Sequence, residues 1–567
     1  MGRSRNCRAG LAAAMAALFV ILACASSFAG ASTSRMTPRE KAIHALNRLG
    51  FGPRPGDVDR VEAMGVSAWI AAQLEPERIP DPIAGAKMAD LPTLAMSQPE
   101  IFENFERPLR EARQRRKQAA ASMSAAEGAA AETDLAEALP PAQRPRRLIE
   151  ELSSARVLRA AYSERQANEV LVDFWMNHFN VFANKGLDRV LVTSFERDTV
   201  RPRIWGRFED LLLATATSPA MLFYLDNAQS VAEPDHRPQR RGPAGLRWPL
   251  ASAFEPPPAR PFGNRRGGLN ENYARELMEL HTLGVDGGYT QKDVTELARV
   301  LTGWSIEPRS SGEFVFRERV HDVGGKAVLG HAFAPGGGIE EGVAMIRILA
   351  RHPATARHIA LELCQRLVAD DPPASLVERV AKRFLATDGD LRQTVKAVVD
   401  SPEFFDPKNY RAKVKSPFEY VVSAIRAAGG ETNARPPLLR EIGRMGEPLY
   451  LCQPPTGYSD AASAWVNTGA LVARLNFALA LASNRIPGTT IALERLVSPE
   501  DAADPKRAVD ALARVLVGGD LSGETRRTIE KRIENPTAAA STQDPSANTE
   551  LPLIAGLILG SPEFQRQ

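Results

Sequence analysis

Cysteine is scarce in this chain: four residues in 567, none of them in a CxxC or CxxCH pair. That excludes a thioredoxin-type redox site and covalently attached c-type haem. HExxH, GxSxG, SxxK and GxGxxG are missing too, so no zinc-protease, serine-nucleophile or dinucleotide signature is complete. There is no surplus of one charge. The formal charge is +3 and Lys and Arg are spread along the chain, which gives no footprint of a nucleic-acid groove. Strand signals are few: "EFVFRE" near 313 and "AVLG" near 327 make at most one small hairpin at 313–330.

What is present begins at the N-terminus. Arg3, Arg5 and Arg8 precede the apolar run "AGLAAAMAALFVILACASSFAG", and Ala29-Gly30-Ala31 supplies a small-residue cleavage site. Together they read as a secretory signal peptide over 1–31, which places the mature chain in the periplasm or outside the cell. The run is short and alanine-rich for a membrane span, which needs about 20 strongly apolar residues. The alternative is a lipoprotein anchored at Cys24, because Ile21-Leu22-Ala23-Cys24 is a passable lipobox. The arginines are not adjacent, so a twin-arginine signal is not supported. After cleavage only Cys364 and Cys452 remain, either paired in an oxidising compartment or serving as small core residues.

Helical periodicity dominates the rest, and the fold class it predicts is mainly α, a multi-helix globular bundle. Thr37 as N-cap, Pro38 at N1 and Glu40 at N3 open a helix that ends at Gly50. A long helical pattern fills 145–185. Others cover 207–223, 270–283, 291–304, 339–350, 353–369, 374–400, 415–428, 464–484 and 505–516. The hydrophobic and charged fractions, 44% and 25%, are those of a soluble globular protein, and the length suits two or three packed units. Composition divides the chain into an N-terminal helical segment (38–110), an insertion (112–145) and a central region (146–310) with a Pro/Gly-rich insertion at 228–268. A third region (311–405) and a C-terminal one (406–567), with a flexible link at 533–550, complete it. The 112–145 insertion is expected to be a helical hairpin tip or disordered, and the one at 228–268 too dense in Pro and Gly for regular structure.

Two helices carry the residues that invite chemistry. In "NENYARELMELHTLG", Tyr273, Ala274, Leu277, Met278 and Leu280 share an apolar arc, with Asn272, Arg275, Glu276 and Glu279 opposite. Glu271–Arg275 and Arg275–Glu279 are ordinary i,i+4 pairs. His281 is the odd residue, placed within the apolar arc. In "NEVLVDFWMNHFNVF", Glu169, Asp173, Asn177 and Asn180 share one face while His178 sits among aromatics. If the two helices pack, His178 and His281 meet each other or share a metal or haem, with Glu276, Glu279 and Asp173 as acid/base or ligand candidates. The other reading is two satisfied core histidines. Weaker candidates are His321, Asp322, Lys326 and His331 around a glycine turn, and Trp465, Asn467 and Arg474 beside a pocket.

These stretches also carry a resemblance. "HALNRLGFGPRPGDVDRVEAMGVSAWIAAQL", "LVDFWMNHFNVF", "NENYARELMELHTLGVDGGYTQKDVTELARVLTGW", "HPATARHIALELCQRLVADDPP" and the terminal "LILGSPEFQ" resemble, in order from about 38 to 566, the bacterial family called domain of unknown function 1800. Gln453-Pro454-Pro455-Thr456-Gly457-Tyr458 stands where that family usually has QPPFGW. The resemblance implies a secreted, mainly helical bacterial protein, often encoded beside an exported, sulfatase-like family called domain of unknown function 1501. It implies no reaction. Two functions are therefore expected: a periplasmic or cell-envelope accessory scaffold acting with such an exported partner, or a metal-dependent hydrolase or metal- or haem-linked oxidoreductase with its site between the His178 and His281 helices.

Overall fold

A computed structural model describes residues 35–120, 139–140, 143–238, 268–307, 311–534 and 550–567. The expected signal peptide over 1–31, with Cys24, most of the 112–145 and 228–268 insertions and nearly all of the 533–550 link lie outside the described residues.

Helix α1 (Pro38–Arg48) starts where the sequence predicts. The Thr37 hydroxyl accepts from Glu40 N at 3.2 Å and the Glu40 carboxylate accepts from Thr37 N at 2.7 Å. The long pattern at 145–185 is two helices, α2 (Arg146–Tyr162) and α3 (Gln166–His178). The break falls at Ser163, whose backbone is extended. Gln166 then folds back, its Nε2 donating to Ala160 O at 3.1 Å and Ser163 O at 2.8 Å, so the carbonyls freed by the break are satisfied.

Further along come α4 (Asn272–Glu279), α5 (Gln291–Val300), α6 (Ile339–Ala350), α7 (Pro353–Leu367), α8 (Ala374–Ala386) and α9 (Leu391–Val399). The pattern at 374–400 is divided because Asp388 and Gly389 both take positive φ. After them follow α10 (Pro417–Ala427), α11 (Thr468–Ala482), α12 (Pro505–Val517) and α13 (Glu550–Leu559).

The helices form one continuous core. α7 packs on α8 and α8 on α9, α13 touches both α11 and α12, and α2 meets α3 and α10. Buried apolar side chains from Ala42 to Phe564 belong to a single cluster. At ~1.5–3 kcal/mol for each large apolar side chain removed from water, this packing rather than helix propensity holds the short helices. The apolar arc of α4 behaves as its periodicity predicts: Tyr273, Ala274, Leu277 and Met278 are buried.

Among the described residues, strands are confined to small pairs. "EFVFRE" and "AVLG" do not pair with each other. Phe314–Phe316 (β2) runs antiparallel to Trp304–Ile306 (β1), while Lys326–Val328 (β3) folds back on His331–Phe333 (β4). The second turn is Leu329-Gly330, both at positive φ, as a two-residue hairpin requires. Cys364 and Cys452 are both buried and free, so the core reading of these cysteines holds and the disulfide reading does not. No helix among the described residues is long and apolar enough to cross a membrane.

Candidate functional site

Helix α3 carries two polar clusters on different faces. At 100° per residue His178 lies about 140° around the axis from Asp173. The structure accordingly sends the two residues to different surroundings.

On the histidine face, His178 is brought against the end of α4, as the sequence suggested. Its ring centroid is 6.0 Å from that of His281 and 6.2 Å from that of His358 on α7. His178 Nδ1 lies 2.7 Å from Glu362 Oε2, and Nε2 lies 3.3 Å from the backbone oxygen of His281. His358 Nε2 is 3.1 Å from the oxygen of Leu280 and 3.6 Å from Glu362 Oε1. The reason is local. Leu280 N and His281 N both donate to Glu276 O, at 2.9 and 3.1 Å, so α4 ends in a wide turn. Its last carbonyls, left without helical donors, take ring N–H groups from two other helices, where the negative end of the helix dipole favours them. Gly284 completes the arrangement at φ +81°, because a Cβ there would stand 3.2 Å from His358 Nδ1.

Burial works against ionisation of Glu362, but His178, by charge and hydrogen bond, and His358 outweigh it and hold the carboxyl below its ordinary value. Burial, reinforced by His178 and His358, pushes His281 well below the usual histidine range, so that ring stays neutral. Its Nε2 is buried without a protein partner. Among the described residues, no group of three or more His, Cys, Asp or Glu side chains is arranged to hold a metal ion. Glu276 and Glu279 face elsewhere. Glu279 takes the Tyr289 hydroxyl at 3.2 Å, rather than Arg275. Glu276 is half-buried, its carboxyl raised by burial and by Glu279. Glu271 holds Gln291 Nε2 and Thr295 Oγ1, each at 2.7 Å, so the polar arc of α4 docks α5.

The other face of α3 is an arginine–carboxylate network. Asp173 is gripped by Arg156 of α2 and by Arg366 of α7, the latter at 2.9 Å. Arg366 also reaches Glu419 at 2.8 Å and Asp460 at 3.1 Å. Arg156 stacks between the rings of Phe418 and Tyr450, 5.3 and 5.1 Å from their centroids. Glu447 completes the set, accepting from Phe418 N at 2.8 Å. Two guanidiniums thus face three buried carboxyls and the partly exposed Asp460, and the shortage of positive charge shows. Burial, with Asp173 and Glu419 nearby, raises the Glu447 carboxyl to about 7, and burial also raises Asp460 against the pull of Arg366 and Lys413.

The loop 453–460 closes this face. Asn177 Nδ2 donates to Tyr458 O and Tyr458 N donates to Asn177 Oδ1, both at 2.7 Å, while Asn180 Nδ2 donates to Cys452 O at 3.0 Å and Pro454 O at 2.8 Å. Gly457, at φ +68°, is needed because a Cβ would lie 2.5 Å from Asn177 O. Tyr450, a bulky residue, is held at φ 61° with its hydroxyl on Glu196. Such a conformation persists only where surrounding contacts over-determine it. A cavity of about 40 Å³ remains beside Asp173, Tyr458, Asp460 and Trp465, open to the surface. It has room for about three waters.

The sequence singled out Asp173, His178, His281 and Trp465, but Asp173 lies in the arginine cluster and not with the two histidines. Sequence reasoning missed Arg156, Arg366, Glu447 and Glu362 and gave His358 no role. The i,i+4 spacing of His358 and Glu362 was the signal available. Arg474, also singled out, is fully buried and donates to Lys415 O at 2.7 Å, away from the cavity lining, and Asn467 caps α11 by accepting from Ala470 N. His321, Asp322 and Lys326 form a separate buried cluster with Glu341, Lys326 Nζ lying 2.7 Å from its carboxylate. His331 is exposed on β4.

Residues 44–566 match the family described as "Protein of unknown function (DUF1800)". No curated protein and no solved structure matches the chain.

Proposed function

The chain belongs to the DUF1800 family, and from that premise we propose that it is an exported cell-envelope accessory protein, a helical scaffold that works by holding an exported partner or an envelope polymer. One observation carries the reading: the polar side chains on both faces of α3 are committed to holding helices and the 453–460 loop together, and the cavity left beside them admits only a few waters. The N-terminal sequence supports export, and the resemblance noted above supports a partner of the domain of unknown function 1501 type. The direct test mixes the purified mature protein with that exported protein from the same organism, followed by size-exclusion chromatography and calorimetry. A complex at micromolar concentration is expected. Failure to bind either this protein or isolated envelope polymer overturns the reading.

A second reading, a hydrolase, has one observation in its favour. Glu447 is raised to about 7 beside Asp173, which two guanidiniums hold, and neighbouring carboxyls in such unlike surroundings are the pattern of an acid/base pair. A metal- or haem-linked site between the His178 and His281 helices is less well supported, because the ring nitrogens of His178 and His358 already face Glu362 and two carbonyls. Stoichiometric metal or a Soret band in the purified protein, lost in His178→Ala and His281→Ala, would restore it.

A further inference from the structure

A second cavity, of about 220 Å³, lies apart from both faces of α3, between α1, α10, the end of α12 and the C-terminal tail. We propose that it binds a tetrahedral oxyanion, a phosphate or sulfate group. The proposal goes beyond the scaffold reading and does not depend on it.

The first argument is charge. Arg39, Arg54, Arg411, Lys415, Arg514 and Arg566 line the cavity against a single carboxylate, Asp59. Three of these cations have carboxylate partners: Arg39 with Asp59 at 2.6 Å, Arg54 with Glu164 at 2.8 Å and Arg411 with Asp520 at 3.2 Å. Arg514 and Arg566 pair with no carboxylate among the described residues, and neither does Lys415.

The second argument is construction. Lys415 is 4% exposed, and its Nζ donates to Ser423 Oγ at 2.9 Å and Phe564 O at 2.8 Å. The ammonium also lies 4.2 Å from the Phe564 ring centroid. Two acceptors leave one of its three N–H groups unused. Arg411 stands beside it at φ 52°, its guanidinium fixed by Glu563 O at 2.5 Å and Val517 O at 2.6 Å, with Nε buried and unpartnered. A buried ammonium with no counter-charge is costly, and the cost shows. Burial, with Arg411 and Arg474 adding to it and Glu419 opposing, pulls Lys415 down to about 7. An oxyanion supplies both the missing negative charge and the missing acceptor oxygens. The cavity has room for one, with several waters.

The group can arrive as a free ion or carried on an envelope polymer, and calorimetry on the full mature chain separates the two. Saturable binding of inorganic phosphate or sulfate is expected, weakened by about tenfold or more in the Arg514→Gln/Arg566→Gln double variant, whose melting temperature stays that of the parent. Binding of a polyphosphate chain but not of the free ion, with the same loss in the variant, also supports the site and assigns it to a polymer-borne group. Absence of saturable binding of either up to about 10 mM, or binding indifferent to the double variant, overturns the proposal.

Discussion

The two faces of α3 are alike in being buried and polar, and opposite in how their charges balance. On the histidine face, Glu362 and the carbonyls of Leu280 and His281 take both ring nitrogens of His178 and Nε2 of His358, and the buried Nε2 of the neutral His281 is left over. On the arginine face, two guanidiniums serve four carboxyls, and burial, with Asp173 and Glu419 nearby, raises Glu447 to about 7 beside a small cavity and a tyrosine at positive φ. A buried histidine is therefore no better a sign of chemistry than a buried carboxyl. What separates the faces is the count of donors against acceptors.

The largest effect that tests this contrast is expected at Arg366. Replacing it with Met leaves Asp173, Glu419 and Asp460 short of a partner, and the loss of a buried counter-charge costs ~3–5 kcal/mol. Denaturant melts should show the drop. A neutral result would mean the network is wet and weak.

Next is a pH effect. Glu447 titrates near 7 in the fold and at its ordinary value near 4.5 when unfolded, so the folded chain binds the extra proton between those values. Stability from this group is present below 4.5 and is lost as pH rises toward 7, by up to about 3 kcal/mol. Glu196 acts in the reverse sense. Burial opposes its ionisation, but Arg201, Arg159, Arg156 and the Tyr450 hydroxyl hold it at about 2, so its contribution is present above 4.5 and lost as pH falls. Glu447→Gln should flatten the neutral limb of the stability–pH curve and leave the acid limb intact. An unchanged neutral limb would remove Glu447 as the group responsible.

Gly457→Ala is expected to cost ~2 kcal/mol, since it forces a Cβ into positive φ and against Asn177 O, and to loosen the 453–460 loop in hydrogen exchange. The smallest effects lie on the histidine face. His178→Leu should cost ~1–3 kcal/mol through lost bonds to Glu362 and to the end of α4, whereas His281→Leu, which gives up a ring nitrogen without a partner, should stay within ~1 kcal/mol of the parent. Equal, large losses at both positions would break the comparison in favour of a shared ligand site.

Much of the frame was legible in the chain. The capping box at Thr37, the apolar arc of α4 and the opposed faces of α3 follow from periods of 3.6 residues and local hydrogen bonding. The pairing of His178 with the end of α4 was legible too, because each histidine broke its own pattern. Their partners were not. Glu362 stands 184 residues from His178, and Arg366 stands 193 residues from Asp173, distances over which no periodicity reports. Glu276 and Glu279 looked like site carboxylates because helical projection shows which face is polar and not what that face meets. Here it meets α5 and Tyr289.

The sequence by itself determined a mainly helical chain, its family, and the two helices on which polar residues interrupt apolar faces. Those are properties of neighbours in the chain, set by local sterics and by the alternation of apolar and polar side chains. Only the tertiary structure decided that the histidines cap a helix end, that Gly284 and Gly457 are held by His358 and Asn177, and that Glu447 is raised to about 7. A protonation state or a helix cap depends on which charges and carbonyls stand within a few ångströms, and packing of distant segments alone brings those together.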